Sequence, residues 1–123
     1  MAAAREVRER AYAPYSLFPV GSAVLAGGRI FAGVNVENAS YPLSGCAERH
    51  AVAAAVAGGE RRIAAVAIAG GVEVPTRPCG GCRQVLSEFG PTMLVISEGA
   101  GGERSTWVLD ELLPEAFGRE ARP

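Results

Sequence analysis

The stretch Ile63-Ala-Ala-Val-Ala-Ile-Ala69 is apolar at every position and is bounded by Arg62 on one side and Gly70-Gly71 on the other. A short run without polar alternation fits a strand buried on both faces of a sheet, which needs helices packed over it. The flanking patterns supply them. Residues 2–12 read as a helix with Ala4, Val7 and Ala11 at helical spacing, stopped by Pro14. An Ala-rich helix follows from about Cys46 to Ala57, ended by Gly58-Gly59, and another runs from about Gly80 to Glu88, closed by Gly90-Pro91. Val20 to Leu25 and Arg29 to Val36 read as strands joined through Ala26-Gly27-Gly28, hence a hairpin. Met93 to Ile96 and Arg104 to Val108 read as two more strands, with a short helix around Leu109 to Leu113 cut off by Pro114. The order hairpin, helix, strand, helix, strand predicts the α/β class, with a mixed sheet and helices on its faces.

With 123 residues, the chain suffices for one domain, 1–123, with a modest core; the last few residues are expected to be flexible. No apolar run is long enough to cross a bilayer, and the charged start Met1-Ala-Ala-Ala-Arg-Glu is not a secretory signal. A cytoplasmic protein with no membrane partner is the expectation. The formal charge of −1 and pI near 5.8 provide no basic field for a polyphosphate backbone, which disfavours a nucleic-acid partner.

There are three cysteines, an odd number, which in a reducing compartment argues for metal or redox use over a disulfide framework. Two fall in Pro78-Cys79-Gly80-Gly81-Cys82. The spacing alone is compatible with a zinc knuckle, a thioredoxin-like redox pair or coincidence. Cys46 and the Cys79/Cys82 pair each fall where a loop enters a helix. Helix N-termini carry unpaired N–H groups and partial positive charge, and two of them would offset the net −1 of a zinc ion with three thiolates.

Cys46-Ala47-Glu48 followed by Pro78-Cys79-Gly80-Gly81-Cys82 resembles the zinc deaminase signature, H/C-x-E then P-C-x-x-C. Three protein ligands leave a tetrahedral zinc one open position for water, whose pKa falls towards about 7. Glu48 is the acidic residue placed to move its protons. One geometric condition follows. Residues two apart lie ~200° around a regular helix, so Cys46 must sit at the helix start and the site off its end. A competing reading makes His50, four residues after Cys46, a fourth ligand; the site would then be a closed Cys3His structural zinc.

The stretches Ala13-Pro-Tyr-Ser-Leu-Phe18-Pro-Val-Gly21, Gly33-Val-Asn35-Val-Glu37-Asn38-Ala-Ser-Tyr41-Pro42, Cys46-Ala-Glu-Arg49 and Glu111-Leu-Leu-Pro-Glu-Ala-Phe117 are similar to the small homotetrameric zinc-dependent cytidine deaminases over roughly residues 11–118. The resemblance implies a three-layer α-β-α fold around a five-stranded mixed sheet and one Zn2+ per chain, held by Cys46, Cys79 and Cys82. It implies that Asn35 and Glu37 hold the ribose 3′-hydroxyl, that Phe18 packs against the pyrimidine, and that the Ala47 N–H binds its 2-oxo group. Without it, Asn35 and Glu37 would pass as polar hairpin residues and Phe18 as core. Arg49 would donate to the ligand thiolates, its ordinary reading being a solvated helix face. Tyr41 and Phe117 would reach a neighbouring subunit's site in a homotetramer. Activated water would attack C4 of the cytosine ring while Glu48 protonates N3 and then the leaving amine, giving uridine or deoxyuridine and ammonia. His50 and Ser44-Gly45 depart from the family's usual residues. The rival substrates are an aminonucleoside antibiotic of blasticidin type, or a base within a polynucleotide.

Overall fold

The computed structural model describes residues 1–118. In chain order it contains α1 (Ala2–Arg8), β1 (Gly21–Ala26), β2 (Arg29–Val34), a 3-10 turn (Tyr41–Leu43), α2 (Ala47–Ala57), β3 (Ala65–Ala69), α3 (Gly80–Phe89), β4 (Leu94–Glu98), β5 (Arg104–Val108) and α4 (Leu109–Leu112). The expected flexibility of the last few residues concerns positions outside those described.

Five strands form one sheet in the order β2-β1-β3-β4-β5. Only β3 and β4 run parallel; the other neighbours are antiparallel, so the sheet is mixed as expected. Gly27 and Gly28 close the β1–β2 hairpin with φ of 59° and 74°, the left-handed pair that a two-residue primed turn requires. The apolar run lies at the centre of the sheet, and its alternate residues face two different layers. Phe31, Val24, Val66, Val95 and Trp107 stand opposite one another across all five strands and pack under α2, α3 and α4 with Ala51, Val52, Leu86 and Leu109. On the other face Ala23, Ala67 and Ala69 meet Ala4 of α1. The two layers differ in side-chain size: branched residues under α2 and α3, alanines under α1. Two glycines let α1 and α2 approach the sheet closely. A Cβ on Gly21 would lie 2.1 Å from the Ala4 carbonyl oxygen, and one on Gly33 would lie 2.4 Å from the Ala51 nitrogen. This is the three-layer α-β-α arrangement.

Two elements are shorter than their patterns suggest, for the same reason. The helix expected over 2–12 stops at Arg8 because Tyr12 is drawn into extended pairing, its N–H donating to the Asn35 carbonyl while its own carbonyl accepts from Glu37. The strand expected to reach Val36 ends at Val34, and Val36 bridges both Tyr12 and Gly45. Ile63 and Ala64 precede β3, while β4 extends to Glu98 because it pairs along the full length of β3.

Glu98, at the end of β4, accepts from Arg5 of α1 at 2.6 Å and from Arg104 of β5 at 2.5 Å. Arg104 chiefly, and then Arg5, hold its carboxyl below the usual carboxylate range. The contribution to stability is therefore present above the unfolded-chain value of about 4.3 and is lost as pH falls through the depressed native value. Glu98→Gln is expected to lower the thermal midpoint by a few degrees near neutrality, with wild type and variant converging in acid. Calorimetry across pH checks this; equal midpoints at pH 7 would remove the cluster's role in docking α1.

Gly21 pairs with both Val34 and Ala69, and Ala69 pairs with Glu98. The start of β1 and the ends of β2, β3 and β4 therefore share one edge of the sheet, the carboxyl edge of its parallel pair, where open α/β sheets place ligands. Among the described residues no helix is long and apolar enough to cross a membrane.

Candidate active site

The loops leaving that edge enter α2 and α3, and both helices begin at a cysteine. Cys46 is the N-cap of α2, with extended backbone (φ −80°, ψ 152°), and Cys79 is the N-cap of α3, its sulfur accepting from the Cys82 N–H at 3.4 Å. Cys82 lies in the first turn of α3 and is wholly buried. The three sulfurs lie within 4.8 Å of one another, with Cys46 to Cys79 at 3.8 Å and Cys79 to Cys82 at 3.2 Å. A tetrahedral zinc with Zn–S bonds of about 2.3 Å holds sulfurs roughly 3.8 Å apart. Of the three pairs, Cys46–Cys79 already has that spacing, Cys79–Cys82 needs to open by about half an ångström, and Cys46–Cys82 lies within 4.8 Å, so the donor set fits zinc. This is the zinc site of the chain, one ion per molecule.

Because Cys46 precedes the first helical residue, its side chain is not bound to the helical wheel, and Glu48 in the first turn of α2 reaches the same region. The geometric condition set by the sequence is met. Glu48 is only 5% exposed, and burial is the main reason that its carboxyl is pushed up to about 7, with the Cys46 thiolate adding to the rise. A carboxyl raised in this way by burial is suited to carrying a proton.

The thiols polarise one another. Cys46 is lowered to about 5, chiefly because the Cys82 thiol donates to it and then because Arg49 lies beside it. Cys82 is raised well above the ordinary thiol range by that same bond and by burial, so without metal it holds the proton. Zinc takes the place of that proton. Arg49 donates to the Cys46 sulfur at 3.7 Å and to the Ser44 carbonyl at 3.4 Å.

His50 is not part of the cluster. Its Nδ1 lies 2.7 Å from the Val34 carbonyl oxygen, and its ring fills the space where a side chain on Gly45 would stand, 2.3 Å from such a Cβ. A closed Cys3His site is thereby disfavoured. Of the departures from the family pattern, His50 and the glycine of Ser44-Gly45 form one packing arrangement.

Beside the cluster opens a cleft of about 600 Å³, lined among others by Phe18, Asn35, Glu37, Ala47, Glu48 and Cys79. Tyr41 also lines it and is 86% exposed at the surface of its own chain. Asn35 and Glu37 already hold the loop before β1. The Asn35 amide accepts from Val20 N–H at 2.8 Å and donates to the Phe18 carbonyl at 2.9 Å. The Glu37 carboxylate accepts from the N–H groups of Tyr15 and Ser16 and from the Ser16 hydroxyl. Phe117 is not brought to this cleft; it lies beside Leu113 and Ser87 in a groove past the end of α3, 63% exposed.

Four neighbours were not singled out from sequence. Ser16 links Glu37 to the Phe18 N–H. Thr76 lines the cleft with a buried hydroxyl that has no partner among the described residues. Arg83 donates to the carbonyls of Pro78 and Leu112, and Gln84 to that of Phe117. The only available signal was adjacency: Ser16 lies inside a recognised stretch, and Arg83-Gln84 directly follow Cys82.

Three thiols that would hold zinc and leave it a fourth position for water, next to a buried protonatable carboxyl in an α/β cleft, are the groups of a zinc hydrolase. Comparison with known proteins narrows the class. The family profile described as the cytidine and deoxycytidylate deaminase zinc-binding region matches residues 1–98. The cytidine deaminase of Sporosarcina psychrophila is 43% identical over 122 residues, covering 98% of this chain and 90% of that protein. The crystal structure of cytidine deaminase from Burkholderia pseudomallei superposes with a TM-score of 0.90 at 48% identity, covering 94% of each chain. That of the Mycobacterium tuberculosis cytidine deaminase gives 0.83 at 41%, covering 96% of this chain and 94% of that one. The chain belongs to the cytidine and deoxycytidylate deaminase family.

Proposed function

We propose that this chain deaminates cytidine and deoxycytidine hydrolytically to uridine and deoxyuridine, as a step of pyrimidine salvage in the cytoplasm. The observation that carries this reading is the buried Glu48 carboxyl beside the three-cysteine zinc site, in a cleft that Phe18, Asn35 and Glu37 also line. The relatives with this fold are named cytidine deaminases.

The reaction consumes water and cytidine and releases ammonia and uridine. Zinc, when bound, supplies the Lewis acid that activates the water. Ala47, first residue of α2, has an N–H without an intrahelical acceptor and donates it to the pyrimidine 2-oxo group. Phe18 packs on the ring, and Asn35 with Glu37 takes the ribose 3′-hydroxyl. Glu48 takes a proton from the water and delivers it to N3 as the C4–O bond forms. It then carries the second proton to the exocyclic nitrogen, and the C4–N bond breaks with ammonia leaving. Arg49 holds Cys46 in place and offsets the charge of the third thiolate.

The working form in this reading is a homotetramer with shared sites. Leu17, Tyr41 and Leu43 are large, apolar and well exposed around the cleft, a patch suited to covering by another copy. Phe117 lies outside its own chain's cleft, so it reaches a substrate only in a partner's. Light scattering is expected to give the mass of four chains.

Ammonia release measured across cytidine, deoxycytidine, cytosine and blasticidin tests the substrate. Cytidine and deoxycytidine are expected to turn over, with cytosine and blasticidin at least about 100-fold poorer, since a site that binds a hydroxyl is left with unpaired polar groups when it is missing. Preference for blasticidin would transfer the assignment to the aminonucleoside deaminases.

A further inference from the structure

The loop 15–20 is held at both ends by the two residues assigned above to the sugar. We propose that Ser16 is a positioning residue that couples the ribose subsite to the base subsite, so that the cleft recognises a nucleoside as a unit. The proposal rests on the reading of Asn35 and Glu37 as ribose ligands.

The Ser16 hydroxyl has one proton to give. It donates it to Glu37 Oε2 at 2.5 Å and accepts from the Phe18 N–H at 3.1 Å. The Phe18 carbonyl in turn accepts from Asn35 Nδ2 at 2.9 Å. The backbone of the residue that faces the base is thus bonded on its N–H side through Ser16 to Glu37, and on its carbonyl side directly to Asn35. Between Ser16 and Phe18 stands Leu17, with φ of 58°, a left-handed conformation that a branched residue keeps only where its surroundings impose it. Three contacts impose it here: Leu17 N–H to the Ala13 carbonyl, and the bonds of Ser16 and Asn35 on either side.

The hydrogen-bond count leaves room for one sugar hydroxyl. A carboxylate offers about four acceptor positions. Glu37 uses three, for the Tyr15 and Ser16 N–H groups and the Ser16 hydroxyl. The Asn35 amide keeps one N–H, since its other donates to Phe18 and its oxygen accepts from Val20. A hydroxyl that donates to Glu37 and accepts from Asn35 completes both. It thereby fixes the two anchors of Phe18. A free base or a 3′-deoxy sugar leaves them incomplete and receives no help from Ser16.

The test compares wild type, Ser16→Ala and Ser16→Thr on cytidine, 3′-deoxycytidine and cytosine, with zinc content and thermal midpoint measured alongside. A hydrogen bond to a charged group sets the expected loss for Ser16→Ala on cytidine at about 10- to 100-fold in kcat/KM, mostly in KM. On 3′-deoxycytidine and cytosine the loss is expected to stay within about threefold, and Ser16→Thr, which keeps the hydroxyl, is expected to restore cytidine turnover. On a Glu37→Gln background Ser16→Ala is expected to cost cytidine little more. An equal loss on all three substrates would mean that Ser16 only shapes the loop, and the proposal falls. If wild type does not distinguish cytidine from 3′-deoxycytidine, the ribose reading itself fails, an outcome visible before any Ser16 variant is made.

Discussion

Glu48→Ala is expected to lose about 10²- to 10⁴-fold in kcat on cytidine, the usual range for a general acid–base group, while keeping one zinc per chain. The separation follows from position. Glu48 is outside the set of sulfurs that hold the metal, and its carboxyl lies in the first turn of α2, where alanine is readily accommodated. The thermal midpoint is expected to stay level or rise, because a carboxyl buried to 5% exposure costs desolvation that the fold must offset. Glu48→Gln separates shape from proton transfer: the amide fills the same volume and binds nucleoside, yet cannot shuttle a proton. Stopped-assay ammonia release, metal analysis and calorimetry on the same preparations check all three points. Near-normal turnover by either variant would remove Glu48 from the chemistry.

Cys82→Ser is expected to lose both metal and activity. Cys82 is the wholly buried member of the cluster, and a serine hydroxyl stays protonated near neutrality, so it makes a poor zinc ligand. Zinc content is expected to fall well below one per chain and deamination to fall by more than about 10³-fold, since both water activation and the orientation of substrate are lost. The thermal midpoint is expected to drop as well, because zinc binds only the folded arrangement of the two helix N-termini and stabilises it by mass action. Treating wild type with a strong chelator should reproduce the loss, and zinc should restore wild type but not the variant. A Cys82→Ser protein that keeps stoichiometric zinc would mean that the metal is held by other groups.

Much of this site is legible in the sequence because its key residues are close together along the chain and sit at helix starts. Cys46, Ala47 and Glu48 are consecutive, and Cys79 and Cys82 share one helical turn. Local rules of spacing therefore place them at the helix start, as bringing both Cys46 and Glu48 to one point requires, and the structure makes Cys46 the N-cap. The centre of the sheet was legible too, since the apolar run around Val66 and Ile68 can only be satisfied from both faces. Boundaries were less so. Tyr12 and Val36 leave the helix and strand that their patterns continue because each finds a backbone partner elsewhere in the chain, a contact that periodicity does not register. Asn35 and Glu37 were assigned to a sugar from resemblance, while their bonds to the loop before β1 span 15 to 22 residues and emerge only from the packed hairpin.

The sequence by itself named the groups of the centre, three soft thiol donors and one carboxyl beside them, and left open whether His50 joins them as a fourth ligand. Resemblance to the H/C-x-E and P-C-x-x-C signature carried the zinc reading, because the spacing of the cysteines alone left a zinc knuckle, a redox pair and coincidence open. Only the tertiary structure decided what surrounds it. Burial by the packed sheet and helices moves Glu48 to about 7, the pairing of His50 with Val34 and Gly45 keeps the imidazole away from the cluster, and the Ser16 bridge ties Phe18 to Glu37. Each of these depends on desolvation or on a contact between distant residues, which is a property of packing and not of local order along the chain.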